Sequence, residues 1–331
     1  MPLRFGILGA GRIGKVHARA VASDSGARLV AVADAIGAAA EALAGAYGAD
    51  VRTVGGIIEA DDIDAVIICT PTDTHAELIE AAVRAGKAVF CEKPVDLDVQ
   101  RVRDVLKVVA AENGTLMVGF NRRFDPDFMA VKAAIDAGKV GEVEMVTISS
   151  RDPGAPPYDY ITRSGGIFRD MTIHDFDMAR WLLGEEVETV QAAASVLVDR
   201  KIGELGDYDS VNVILRTKSG RQAVITNSRR ATYGYDQRIE VLGSKGAVSA
   251  QNMAEANIEI ATADGFQRPP LLNFFMTRYV AAYANEIAGF IAAVTNGTAT
   301  PTTGEDGLMA LVLADAALKS VETGQTVNVA R

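Results

Sequence analysis

The chain has 331 residues, 49% of them apolar, enough to bury the cores of two domains and too many for a disordered polypeptide. Its formal net charge of −10 argues against nonspecific nucleic-acid binding, and no apolar run is long enough to span a membrane. A strand begins within a few residues of the N-terminus, with no signal-peptide architecture, so the chain reads as cytoplasmic, with Cys69 and Cys91 as buried thiols rather than a disulfide.

The first predicted element is a buried strand over 3–8. It runs into Gly9-Ala10-Gly11-Arg12-Ile13-Gly14, and an Ala-rich helix over 12–23 follows. In this GxGxxG spacing, Gly9 permits a tight turn, Gly11 lets the backbone approach a pyrophosphate, and Gly14 lets helix and strand pack closely. The helix start at Arg12 and Ile13 then offers unpaired N–H groups to phosphates. A second strand, 28–33, ends at Asp34, twenty residues after Gly14. That spacing suits an acid that grips an adenosine ribose diol, although Asp34 is equally suited to capping the next helix, predicted over 37–47. Strand, glycines and spacing together favour nucleotide binding. Ala35 and Ile36 follow, with no nearby Arg or Lys for a 2′-phosphate, so the cofactor expected is NAD rather than NADP.

Strands over 65–69, 87–91 and 115–119 alternate with helices over 74–85 and 98–112. Continuous Val/Ile-rich strands separated by helices indicate a doubly wound parallel sheet of the α/β class, placed in a domain 1–120. The strand ending at Cys69 leads into Thr70 and Pro71, where a loop would line the nucleotide site. Thr74 and Glu77 have the spacing of a helix capping box, with His75 between them. The strand ending at Cys91 leads into Glu92-Lys93-Pro94, which places a cation at a strand's carboxyl end. A generic Glu-Lys-Pro is more often a surface turn, and the sequence leaves open whether Pro94 is cis.

The pattern changes after Gly119. Alternating segments over 142–150, 187–199, 208–217, 221–230 and 236–242, with turns at 219–220 and 243–246, predict a large, mainly antiparallel open sheet in an α+β domain spanning 121–331. Late helices over 274–296 and 305–322 are assigned to the same domain. In the helical stretch 165–182, Asp170 and His174 are four apart and share a face. A carboxylate beside an imidazole orients it and supports the imidazolium formed when the ring takes a proton from an alcohol. The stripe His174, Met178, Trp181 is by spacing alone more often helix core. The three histidines, 17, 75 and 174, form no metal cluster with the cysteines, so no metal centre is expected.

Several motifs together carry a resemblance: GAGRIG at 9–14, CTPTDTH at 69–75, CEKP at 91–94, GFNRRFD at 119–125, GGIFRDMTIHDFDMARWL at 165–182, GSKG at 243–246 and TGEDG at 303–307. Over essentially its whole length the chain resembles the Gfo/Idh/MocA oxidoreductase family. The resemblance implies a Rossmann domain followed by the open-sheet domain, and catalysis by Lys93, Asp170 and His174. His174 would take the hydroxyl proton, Asp170 would orient it, and Lys93 would sit near the nicotinamide and the reacting hydroxyl. Thr70, Pro71, His75, Glu92 and Pro94 would line the cofactor. Lys93, Asn121, Arg123, Asp152, Asp170, His174 and Tyr235 would meet substrate. It also implies a homotetramer built through the open sheet. The activity expected is NAD-dependent oxidation of a ring hydroxyl of myo-inositol to scyllo-inosose. The alternatives are another cyclic polyol or aldose, or a non-catalytic NAD-binding sensor. Beyond Arg122, Arg123 and Lys93 there is no strong cationic cluster, which suits a neutral polyol better than a sugar phosphate.

Overall fold

The structure, a computed structural model, describes residues 1–329. The chain divides by contact into two units: Met1–Asp125 with Ala281–Leu311, and Pro126–Val280 with the residues from Val312 onward.

In the first unit, strands β1 (Leu3–Leu8), β2 (Ala27–Ala33), β3 (Asp50–Val51), β4 (Ala65–Ile68), β5 (Ala88–Glu92) and β6 (Leu116–Gly119) alternate with helices α1 (Arg12–Ser23), α2 (Gly37–Tyr47), α3 (Val54–Ile58), α4 (His75–Arg84) and α5 (Val99–Ala111). All strand pairs are parallel, in the order β3-β2-β1-β4-β5-β6. That is the doubly wound order whose switch point lies between β1 and β4. The β4 residues Ala65, Val66, Ile67 and Ile68 are all fully buried, as a strand covered on both faces requires. The two-residue β3 and the five-residue α3 escape the sequence reading because neither is long enough to show a period.

The second unit opens with α6 (Pro126–Asp136), also unread in the sequence, and β7 (Val143–Arg151). Next come α7 (Tyr158–Ile161), a π turn over Phe168–Thr172, α8 (Ile173–Leu183), β8 (Val187–Ser195), α9 (Arg200–Glu204), β9 (Ser210–Thr217), β10 (Gln222–Ser228), β11 (Asp236–Gly243) and β12 (Gly246–Ala250). A hairpin, β13 (Ile260–Thr262) and β14 (Gly265–Gln267), precedes α10 (Phe275–Arg278). The main sheet runs β12-β11-β7-β10-β9-β8, closed at its edge by a last short strand, β15 (Val327–Asn328). Both expected hairpins form, β9 with β10 and β11 with β12. The sheet is mainly antiparallel, as expected, with β10 parallel to β7.

The expected helix over 274–296 is two helices. It breaks at Tyr279, which is buried in an aromatic cluster with Tyr235 and Phe128. The second piece, α11 (Val280–Asn296), corrects the domain reading. From Ala281 it belongs to the first unit, where Phe290 packs against Phe5 and Phe90 at ring-centroid distances of 6.1 and 5.9 Å. The last helix, α12 (Gly304–Thr323), begins in the first unit and ends in the second. The first unit also extends past Gly119, through the 3₁₀ turn Asn121–Phe124, to Asp125. Among the described residues, no helix is long and apolar enough to cross a membrane.

Candidate active site

The glycine loop between β1 and α1 has three glycines with three separate physical reasons. Gly9 has φ +102°, and a Cβ there would lie 2.6 Å from the Cys69 carbonyl oxygen. A Cβ on Gly14 would lie 2.0 Å from the Gly9 carbonyl oxygen, so α1 packs on its own entry turn only because Gly14 is bare. Gly11 is different: nothing lies within 4 Å of its added Cβ. Protein packing does not demand a glycine there, whereas close approach of a pyrophosphate does. Gly11 is also the N-cap of α1 and supplies no side-chain cap to its N–H groups. Arg12 is exposed, and Ile13 packs partly into the core.

Asp34 directly follows β2 and is half-buried. Its Oδ2 accepts from the Ala10 N–H at 2.6 Å and its Oδ1 from the Ile36 N–H at 2.7 Å. It therefore braces the glycine loop and does not cap α2, whose N-cap is Ile36. A carboxylate offers about four lone-pair sites, which leaves capacity for a ribose diol.

At the next loop, the capping box proposed for Thr74 and Glu77 does not form. Thr74 is the N-cap of α4 but makes no side-chain cap bond; its hydroxyl goes to the Pro71 carbonyl at 2.8 Å and meets the Thr70 hydroxyl at 2.6 Å. The 3₁₀ turn Thr72–Thr74 feeding α4 is the reason. His75 is buried, with Nδ1 2.8 Å from the Pro94 carbonyl oxygen and Nε2 2.8 Å from the Thr70 carbonyl oxygen. Both ring nitrogens thus face backbone. Glu92, at the end of β5, meets the buried His17 at 2.6 Å, and the Lys93–Pro94 peptide is cis. Lys93 is half-buried.

In the second unit, Asp170 lies in the π turn and His174 in the first turn of α8, both half-buried. Of the stripe residues, Met178 is fully buried, whereas His174 and Trp181 are half-buried. Asp170 accepts from the Tyr160 hydroxyl at 2.8 Å and pairs with the buried Arg229 at 3.4 Å. Arg229 also reaches Asp207 at 3.5 Å. Burial, with the Asp170 charge as a smaller contributor, pushes the Asp207 carboxyl above its ordinary range. Neither Tyr160 nor Arg229 is visible as a site residue in the sequence, since nothing local ties them to Asp170. Beneath His174, Asp175 is fully buried. It accepts from Ser150 of β7 at 2.6 Å and from Asn227 of β10 at 2.8 Å, and Asn227 in turn accepts from Thr172 at 2.6 Å. This polar network pins the helix carrying His174 to two sheet strands.

The chain matches two family descriptions in succession. Residues 3–120 match the oxidoreductase family's NAD-binding Rossmann fold, and residues 128–249 match the Gfo/Idh/MocA C-terminal domain. It is 68% identical over 330 residues to inositol 2-dehydrogenase of Rhizobium meliloti strain 1021, covering 100% of both chains. The chain belongs to the Gfo/Idh/MocA family of oxidoreductases. The solved myo-inositol dehydrogenase of Corynebacterium glutamicum shares 43% identity and a TM-score of 0.96, with full coverage of both chains. A scyllo-inositol dehydrogenase from Lactobacillus casei, solved with NAD(H) and scyllo-inositol, shares 30% identity and a TM-score of 0.93, again with full coverage of both.

As a Gfo/Idh/MocA oxidoreductase the protein uses NAD, and the open space over Gly11 together with the spare capacity of Asp34 fits that cofactor. The remaining candidate residues divide by how committed they are. Asn121 is buried, and its Nδ2 has no hydrogen-bond partner among the described residues. Arg123 is bonded to Asp306 at 2.9 Å, tying the GFNRRFD segment to the TGEDG segment of α12. Asp152 is half-buried just past β7, and its backbone bonds both ways, to Ser228 and Ala231. Tyr235 is buried between Phe274 and Tyr279.

Proposed function

We propose that this protein is an inositol 2-dehydrogenase that oxidises a ring hydroxyl of myo-inositol to the ketone, scyllo-inosose. The observation that carries this reading is the full-length 68% identity to the Rhizobium meliloti enzyme of that name. When bound, NAD supplies the hydride acceptor at its nicotinamide ring. Gly9, Gly11, Gly14 and Asp34 would hold its pyrophosphate and ribose, and the Thr70-Pro71 and Glu92–Pro94 turns would flank it. His174 acts as general base and takes the hydroxyl proton as the carbonyl forms. Asp170, held by Tyr160 and Arg229, orients His174 and supports its imidazolium. Lys93 donates to the reacting oxygen and stabilises the charge that develops there. Asn121 and Asp152 are the candidates to bond the remaining hydroxyls. Arg123 and Tyr235 shape the site through their fixed neighbours. The working form is a homotetramer.

NADH formation, followed by absorbance, tests the reading across myo-inositol, scyllo-inositol, glucose and a sugar phosphate. The highest kcat/KM is expected for myo-inositol. A higher value for scyllo-inositol, the ligand of the Lactobacillus casei relative, would reassign the isomer. A preference for glucose would make the enzyme an aldose dehydrogenase, and turnover of none would remove the reading.

A further inference from the structure

Two of the three histidines have no part in the proton transfer just described, and both grip the turn that carries Lys93. His17 projects from α1 and is fully buried. Its ring sits edge-on to Phe90 at 4.9 Å and to Tyr283 at 5.5 Å, which fixes its plane. Its Nδ1 has no hydrogen-bond partner among the described residues, so its polar contact is the 2.6 Å one from Nε2 to Glu92. His75 starts α4 and bridges the Pro94 and Thr70 carbonyl oxygens. Lys93 therefore stands between two residues that are each held by a buried imidazole from a different helix.

We propose that His17 and His75 are positioning residues that fix the Glu92–Pro94 turn and thereby the place at which Lys93 presents its ammonium group. The need for such a device follows from the topology. The parallel ladder of β5 with β6 ends at Glu92 paired with Gly119, so the sheet does not hold Lys93. A lysine amine rides on a flexible four-carbon stem, and any backbone movement at its base adds to that freedom. A displacement of about 1 Å at a reacting group can cost roughly 100-fold in rate. An imidazole suits the task because its two nitrogens lie on opposite sides of a rigid ring. His75 sets one nitrogen against a carbonyl of each of two loops and donates from the one that carries the proton, and His17 uses one nitrogen while Phe90 and Tyr283 hold its ring. The proposal rests on the reading of Lys93 as a catalytic group.

The test compares His17→Leu, His17→Gln, His75→Leu and His75→Gln, each alone and combined with Lys93→Ala, in the full-length protein. Readouts are kcat and KM for myo-inositol, NADH affinity by fluorescence, thermal midpoint, and the acetylation rate of Lys93 by mass spectrometry, which needs no turnover. The Leu variants are expected to lose about 10- to 100-fold in kcat, with a smaller loss of NADH affinity because the turns they hold also flank the cofactor. The Gln variants should recover part of that loss. On the Lys93→Ala background the Leu substitutions should cost little more, because their effect passes through Lys93. Lys93 acetylation should change while that of other lysines stays constant. Unchanged kcat and unchanged Lys93 labelling in folded Leu variants would overturn the proposal, as would a full multiplicative loss on the Lys93→Ala background. If the unsubstituted protein turned over no polyol, the functional reading would fall, while the labelling result would still decide whether the histidines set the turn.

Discussion

Asp34 has both carboxylate oxygens on backbone N–H groups, one in the glycine loop and one in its own turn. The carboxylate is thus fixed where a ribose diol would meet it, and its charge would repel a 2′-phosphate. Asp34→Ser combined with Ala35→Arg should lower the NAD-to-NADP ratio of kcat/KM by about 10-fold or more, since it replaces a repulsion with a charge-assisted bond. Equal use of both cofactors by the unsubstituted enzyme would contradict the argument. For the chemistry itself, His174→Ala and Lys93→Ala should each lower kcat by about 100-fold or more while NADH still binds, the usual range for acid–base groups being roughly 10²–10⁴. Near-normal turnover of the His174 variant would make that histidine a packing residue. The three glycines were legible in the sequence because a tight turn entering a helix leaves a local GxGxxG mark, and Asp34 because it stands at the end of the next predicted strand. Arg229 was not, because it lies 59 residues from Asp170. Nor were the partners of His75 and Arg123, since a ring aimed at a carbonyl, or an arginine aimed at Asp306, leaves no periodic mark.

Elements show the same division. Long periodic strands and helices such as β1, β2, α1 and α2 fall where the sequence pattern puts them, within a residue at each end. Their junctions do not, as the failed cap at Thr74 and the break at Tyr279 show, because tertiary partners decide them. The start of β11 falls at residue 236, where the pattern puts it, and tertiary partners hold it there. Asp236 is fully buried there, which alone would raise its pKa. Hydrogen bonds from Arg238 at 2.7 Å, Tyr233 at 2.6 Å and Asn252 at 2.7 Å outweigh that burial and hold the carboxyl at about 2, below its ordinary value of 3.8. A depressed folded-state pKa stabilises the fold above the unfolded-state value, and that contribution is lost as pH falls toward the folded-state value. Asp236 should therefore contribute roughly 2 kcal/mol above about pH 4, declining as pH drops toward about 2. Urea unfolding of the parent and of Asp236→Asn would check this. The variant should be less stable near neutrality, and the gap should narrow in acid. A gap that stays constant from neutral to acid pH would show that the carboxylate charge is not what stabilises β11.

The chain's path decides the largest-scale features. Because Ala281–Leu311 returns to the first unit, the Rossmann core is completed by residues far from it in sequence. Phe290→Ala should then cost about 3–5 kcal/mol, the range for truncating a buried aromatic, by opening a void between Phe5 and Phe90. A loss below about 1 kcal/mol would show that α11 adds little to that core.

Assembly is argued from the second unit's sheet. Along β9 and β11, buried and exposed residues alternate, and α8 packs against β7 and β10. On the open face the register brings Met145 beside Leu242, and Ile214 beside Val224, which itself neighbours Thr147. Met145, Leu242 and Ile214 are each more than 40% exposed. Around them stand Asn212, Arg216, Gln222 and Glu240. The face is thus a small apolar centre with a polar rim, the composition of a protein–protein interface. Sheet-to-sheet packing of subunits would cover that centre and build the proposed tetramer. Sedimentation at micromolar concentration should give about four times the 34.9 kDa chain mass. Ile214→Glu together with Met145→Glu should shift the protein to smaller species, because each subunit would bring two unpaired carboxylates into the packed face. A stable monomer of the unsubstituted chain would refute the tetramer. A tetramer unaffected by the double substitution would move the interface to another face of the molecule.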